Sequence, residues 1–183
     1  MTEINNAVWT KVAKSAPDPE RVRRSLEQLS GTPAGAALSR PDEEQARIFA
    51  ALFSGSTALT NLLHAHPDWL KVVGVDALKF PRHEQGLRQE LTEMLRPLLE
   101  SGDQATALSK VREFKQREML RIGARDLARL GNMSETTRDI SDVADVCLSA
   151  VWDICERQFT ARFGRPWHQD ASGAWQPTTA CVL

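Results

Sequence analysis

Cysteine is scarce in this 183-residue chain, and its three copies, Cys147, Cys155 and Cys181, are badly spaced for most of what cysteine does. Odd in number and without a C-x-x-C pair, they support neither a disulfide framework nor a zinc site, so reduced thiols are expected. An excess of charge of one sign is also missing. The 23 Lys and Arg residues meet 24 Asp and Glu residues for a net charge of −1, which argues against a general nucleic-acid or acidic-surface binder. No stretch approaches the roughly 20 apolar residues that span a bilayer. The start, Met1-Thr2-Glu3-Ile4-Asn5-Asn6, has neither the basic nor the apolar segment of an export signal, so no membrane is expected and the cytoplasm is the expected compartment. Glycine-rich loops are lacking too. Ser54-Gly55-Ser56-Thr57 has one glycine and no lysine, which reads as a helix break followed by an N-cap and not as a phosphate cradle. There is no internal repeat, no low-complexity tract and no nucleophile arrangement that spacing alone identifies.

What the sequence does have is helical punctuation. Pro17-Asp18-Pro19 stops a short amphipathic segment, Glu20 to Leu29 reads as a helix, and Ser30 to Gly35 breaks the pattern. This opening stretch, residues 1–40, is expected to be loosely packed. Pro41-Asp42 starts a helix carrying Ile48, Leu52 and Phe53. Another runs from Thr57 to His66, and Pro67-Asp68-Trp69-Leu70 opens a further turn. From Glu84 to Leu99, Leu87, Leu91, Met94, Leu95 and Leu98 share a stripe. Two long helices follow. The first spans about Gln104 to Leu130 and is expected to close at Gly131-Asn132. The second starts with Ser134 as N-cap, has Glu135 in its first turn and continues to about Phe163, with Ile140, Val143, Ala144, Cys147, Leu148, Val151, Ile154 and Cys155 as its buried face. Past Gly164, Asp170 to Gly173 carries turn chemistry, and Thr178 to Leu183 is an apolar β-type run. A chain that ends inside a strand reads as a domain cut short.

Charged residues on the two long helices form the most informative constellation. Arg117, Arg121, Arg125 and Arg129 recur every four residues and so make one slowly winding stripe. Apolar residues on both sides of the stripe imply burial, and buried guanidinium groups need carboxylate, carbonyl or phosphate partners. Two readings stand: salt bridges to the next helix, or a stripe facing a phosphate-handling cleft. Asp139, Asp142 and Asp145 recur every three residues, and either pair with that stripe or hold Mg²⁺ through oxygen. His64 and His66, two apart on a helix, point away from each other and cannot share a metal there, and His66 is expected at a helix end.

Three stretches resemble the N-terminal half of the bifunctional glutamine synthetase adenylyltransferase and adenylyl-removing enzyme family. They are Ser56 through Leu70 with its His66-Pro67-Asp68-Trp69-Leu70 turn, the Arg-rich run Arg112 to Leu127, and Gly164-Arg165-Pro166 through Leu183. The resemblance implies a nucleotidyltransferase acting on glutamine synthetase in nitrogen metabolism, regulated through PII-type signalling proteins. It also implies deadenylylation by phosphorolysis, with ATP or ADP and Mg²⁺ handled by a glycine loop and paired aspartates that lie outside this sequence. On that reading the chain itself holds no catalytic, cofactor or metal residue and is inactive alone. Arg117, Glu118, Arg121, Arg125 and Asp126 are then a family-motif helix that supports a site.

The expected fold is all-α. An array of antiparallel helices over residues 41–163 ends in the two long helices, and residues 164–183 form a loop and the first strand of a nucleotidyltransferase sheet. The rival reading is a stand-alone helical adaptor, with Trp167 and Trp175 anchoring a partner. A third is a metal-dependent helical bundle using Asp139, Asp142 and Asp145.

Overall fold

Short polar side chains begin three of the helices by accepting backbone N–H groups that would otherwise have no partner. Asp18 accepts from Arg21 at 3.0 Å, Asp42 from Gln45 at 2.7 Å and Ser56 from Leu59 at 3.3 Å. They open α2 (Pro19–Ser30), α3 (Glu43–Gly55) and α4 (Thr57–Ala65) in the computed structural model, which describes residues 7–178. Before them lies α1 (Ala7–Ser15), and after them α5 (Val75–Leu78), α6 (Glu84–Glu100), α7 (Gln104–Leu127) and α8 (Met133–Phe163). Pro33–Leu38 and Pro67–Val73 are 3-10 turns. Among the described residues β1 (Trp167–Gln169) and β2 (Trp175–Pro177) are the only strands, so the fold is mainly α. No single helix among the described residues is long and apolar enough to cross a membrane.

The chain divides into two compact units, one of residues up to His83 with Gln116–Ser141, the other of Glu84–Lys115 with the residues from Asp142 onward. In the first unit, Trp9, Val22 and Leu29 join Ile48, Phe53, Leu63, Val73, Leu78 and Leu120 in one buried cluster. The Trp9 indole N–H donates to the Leu38 carbonyl at 2.9 Å. Residues 7–38 are therefore not the loose segment expected: Trp9 and Val12 recur three apart, Val22, Leu26 and Leu29 at four and three, and all five are buried. In the second unit the core side chains are Leu87, Leu91 and Leu95 of α6, Ala107, Val111 and Phe114 of α7, and Val143, Val146, Cys147 and Ile154 of α8.

The turn between the long helices differs from expectation at both ends. Helix α7 stops at Leu127, because Arg129 takes a left-handed φ of 55°. The Arg129 N–H then donates to Asp126 O at 2.9 Å and the Leu130 N–H to Arg125 O at 3.0 Å, the paired bonds that close a helix through a left-handed residue. Gly131 and Asn132 were the expected stop. Asn132 instead opens the next helix: its side chain accepts the Glu135 N–H at 3.0 Å, so Asn132 and not Ser134 is the N-cap of α8. Arg129 is exposed, and a Cβ in the left-handed region is costly. Arg129→Gly is expected to raise stability by about 0.5–1 kcal/mol in urea unfolding; a lower midpoint would contradict the geometry.

The buried face of α8 also needs correction. Val143, Cys147 and Ile154 are buried as expected, but Ile140 and Leu148 are exposed at 41% and 49%, Ala144 is exposed, and Val146 is buried in their stead. Beyond α8, Asp170 accepts from the backbone N–H of Ser172 and Ala174 and from the Ser172 hydroxyl. Gly173 supplies the positive φ of 83° that the turn requires. The hairpin pairs Trp167 with Pro177, His168 with Gln176 and Gln169 with Trp175. Of the expected run Thr178 to Leu183, residues 179–183 lie outside the described residues.

Candidate functional site

Glu118 is the centre of the candidate site. Helical spacing puts it three residues before Arg121 and next to Arg117, on the side of α7 that faces into the first unit. Its side chain is 1% exposed and accepts from Arg82 Nη1 at 2.7 Å, Arg121 Nε at 2.9 Å and Arg117 Nη2 at 3.1 Å. Arg121, itself 2% exposed, reaches on to Asp139 of α8 through Nη2 at 3.2 Å. Its Nη1 is buried with no hydrogen-bond partner among the described residues. One turn further, Arg125 donates through Nη2 to Glu135 at 2.8 Å and through Nε to the Leu78 carbonyl at 3.3 Å. An added Cβ at Gly131 would collide with the Arg125 guanidinium, which would have to shift to admit it. Asp126, on the exposed side, accepts from the Thr136 hydroxyl at 3.1 Å.

The structure thus gathers Arg117, Glu118, Arg121 and Arg125 into a ladder between α7 and α8, and leaves Arg129 outside it. Of the three aspartates, Asp139 is 2% exposed and joins the ladder, while Asp145 is exposed on another face of α8. No group of three acidic, histidine or cysteine side chains among the described residues is placed to hold a metal ion. Arg82 is the member that sequence reasoning missed, because nothing local links it to a residue 36 positions away. The Glu118-x-x-Arg121 spacing was the available signal for the rest.

Electrostatics add two acid-sensitive groups. The Arg125 hydrogen bond holds the Glu135 carboxyl below its ordinary range. Burial pushes the His64 imidazole below its ordinary 6.5, opposed by a hydrogen bond with the Ser25 backbone, and its Nε2, near the Phe53 ring, is buried with no hydrogen-bond partner among the described residues. His66 sits at the C-terminal end of α4 and stacks on Trp69 at 4.1 Å between ring centroids. Because both folded-state values are depressed, the stability these groups contribute is complete above their unfolded values. It is lost as pH falls, through His64 first and Glu135 later. The unfolding midpoint should drop as pH falls below the ordinary imidazole value of 6.5, and His64→Gln should flatten that drop; an unchanged slope in the variant would rule His64 out as its cause.

A groove of about 110 Å³ in the second unit is lined by Leu91 and Leu95 of α6 and Val146, Asp153 and Arg157 of α8. It falls well short of the roughly 300 Å³ at which small-molecule sites begin.

The family model for glutamate-ammonia ligase adenylyltransferase matches residues 46–181. Among curated relatives, the bifunctional glutamine synthetase adenylyltransferase/adenylyl-removing enzyme of Thioalkalivibrio sulfidiphilus is 29% identical over 116 residues, which is 63% of this chain and 12% of that protein. The enzyme of the same description from Pseudomonas aeruginosa is 36% identical over 78 residues, 42% of this chain and 8% of that one. That of Mannheimia succiniciproducens is 29% identical over 118 residues, 64% and 12% respectively. The matched stretches cover about an eighth or less of the length of these relatives. No solved structure matches. The matched residues include the whole Arg117–Asp139 ladder and the turn that closes it, and the chain belongs to the glutamate-ammonia ligase adenylyltransferase family.

Proposed function

We propose that this chain is a helical structural member of an adenylyltransferase and adenylyl-removing system acting on glutamine synthetase, and that it carries out no AMP chemistry alone. The observation that carries this reading is the state of Glu118. A carboxylate at 1% exposure that three guanidinium groups hold is neutralised within the fold and closed off from solvent, and its loss would remove a charge against which Arg121, 2% exposed, is packed. The ladder on α7 and α8 is therefore a brace, and Arg117, Glu118, Arg121, Arg125 and Asp126 support a site by holding these helices in place. ATP or ADP and Mg²⁺ would be handled by family residues outside this sequence, with glutamine synthetase and a PII-type protein as partners in the cytoplasm.

The test is Arg121→Ala in a longer family polypeptide that includes the catalytic portion. A brace predicts that deadenylylation falls in parallel with the folded fraction; activity lost while the melting temperature holds would assign Arg121 to the reaction itself.

A further inference from the structure

Helix α8 is apolar on two opposite faces, and only one of them is covered by the described residues. Val143, Val146, Cys147 and Ile154 face inward, while Leu148, Trp152 and Phe159, on the opposite side, remain 49%, 38% and 60% exposed. The open stripe has the three-and-four spacing of a helix-pairing seam: Asp145, Leu148, Trp152, Cys155, Phe159, Arg162. Its centre is apolar and its two ends carry opposite charge. Asp145 makes no ion pair among the described residues, and the Arg162 guanidinium lies over the Phe163 ring at 4.9 Å.

We infer that this stripe is a self-association surface on which α8 pairs antiparallel with α8 of a second copy. Antiparallel pairing about a two-fold axis makes every layer complementary: Asp145 meets the partner's Arg162, Leu148 the partner's Phe159, and Trp152 the partner's Cys155. Each layer then repeats on the other side of the axis. An ion pair closes the apolar centre at both ends. The parallel arrangement places Asp145 against its own copy and Arg162 against its own copy, and like charges in contact select against it. At the usual size of aromatic side chains the stripe and its neighbour Phe163 leave roughly 400–600 Å² of apolar surface open per copy. A symmetric pair therefore hides about 1,000 Å², the lower bound for a specific interface. An interface of that size belongs with the weak, transient ones, so the dimer is a reversible one.

Sedimentation equilibrium of the whole chain under reducing conditions, from about 1 to about 200 µM, tests this directly. The expected result is a monomer–dimer equilibrium that Asp145→Arg and Arg162→Asp each weaken by about ten-fold or more and that the two together restore. Leu148→Glu should leave a monomer with unchanged helix content by circular dichroism, since its side chain is already open to water. A chain that stays monomeric throughout the range overturns the inference. So does a dimer that the double charge reversal fails to restore, or a stripe that is covered only when a longer family polypeptide is added.

Discussion

Replacing Glu118 by Gln should cost about 3–5 kcal/mol of folding free energy, because it removes the charge that three guanidinium groups share inside the first unit. Arg82, Arg117 and Arg121 would each keep a positive charge at the same place, with a neutral amide that still offers one acceptor but adds a donor pointing at other donors. Water compensates least at Arg121, since Glu118 is 1% exposed and Arg121 2%. The measurement is the urea midpoint at constant slope. Glu27, paired with Arg23 at 2.7 Å on the exposed side of α2 with both side chains about 60% open, is the control. Glu27→Gln should change stability by less than about 1 kcal/mol, because exposed pairs are screened and poorly ordered. Equal effects at the two sites would mean that the ladder is solvated and that its place on α7 carries no structural weight.

Phe53→Ala should destabilise by a comparable amount, about 3–5 kcal/mol, through the cavity it leaves. Phe53 is fully buried, its ring stacks on Phe49 at 5.6 Å between centroids, and the His64 ring lies 6.4 Å away. Neighbours on α3 and α4 are fixed by their own helices and by the cap at Ser56, so they can collapse into the gap only in part. Phe80, 67% exposed, provides the comparison: Phe80→Ala should stay within about 0.5 kcal/mol. A small effect at Phe53 would show that the core of the first unit is fluid. The account would then lose the rigid support on which the ladder depends.

Local chemistry made part of this structure legible and long-range choices hid the rest. The caps at Asp42 and Ser56 and the Leu87–Leu91–Leu95 stripe could be read because each involves residues within one turn of one another. The arginine stripe could be read from its four-residue period, but not which carboxylates met it. Arg82 and Asp139 are brought to Glu118 and Arg121 by tertiary packing alone. The end of α7 was misread because Gly131 and Asn132 are the residues that usually take a left-handed turn, and the chain spends that conformation on Arg129. Gly131 passes close over the Arg125 guanidinium, and Asn132 serves as a cap. The orientation of α8 was only half visible. Two apolar stripes on opposite sides of one helix satisfy the same periodicity, and the pattern does not say which stripe the core takes. The Trp9–Leu38 hydrogen bond and the burial of α1 and α2 depend on contacts about 30 residues apart, which is why the opening stretch looked loose.

The central claim is that these residues form scaffold and that AMP is handled elsewhere in the system. Incubating the purified chain alone with AMP-labelled glutamine synthetase and phosphate, and in parallel with unlabelled glutamine synthetase, ATP and Mg²⁺, tests it most directly. The account predicts no AMP released in the first reaction and none attached in the second. Turnover in either would contradict it.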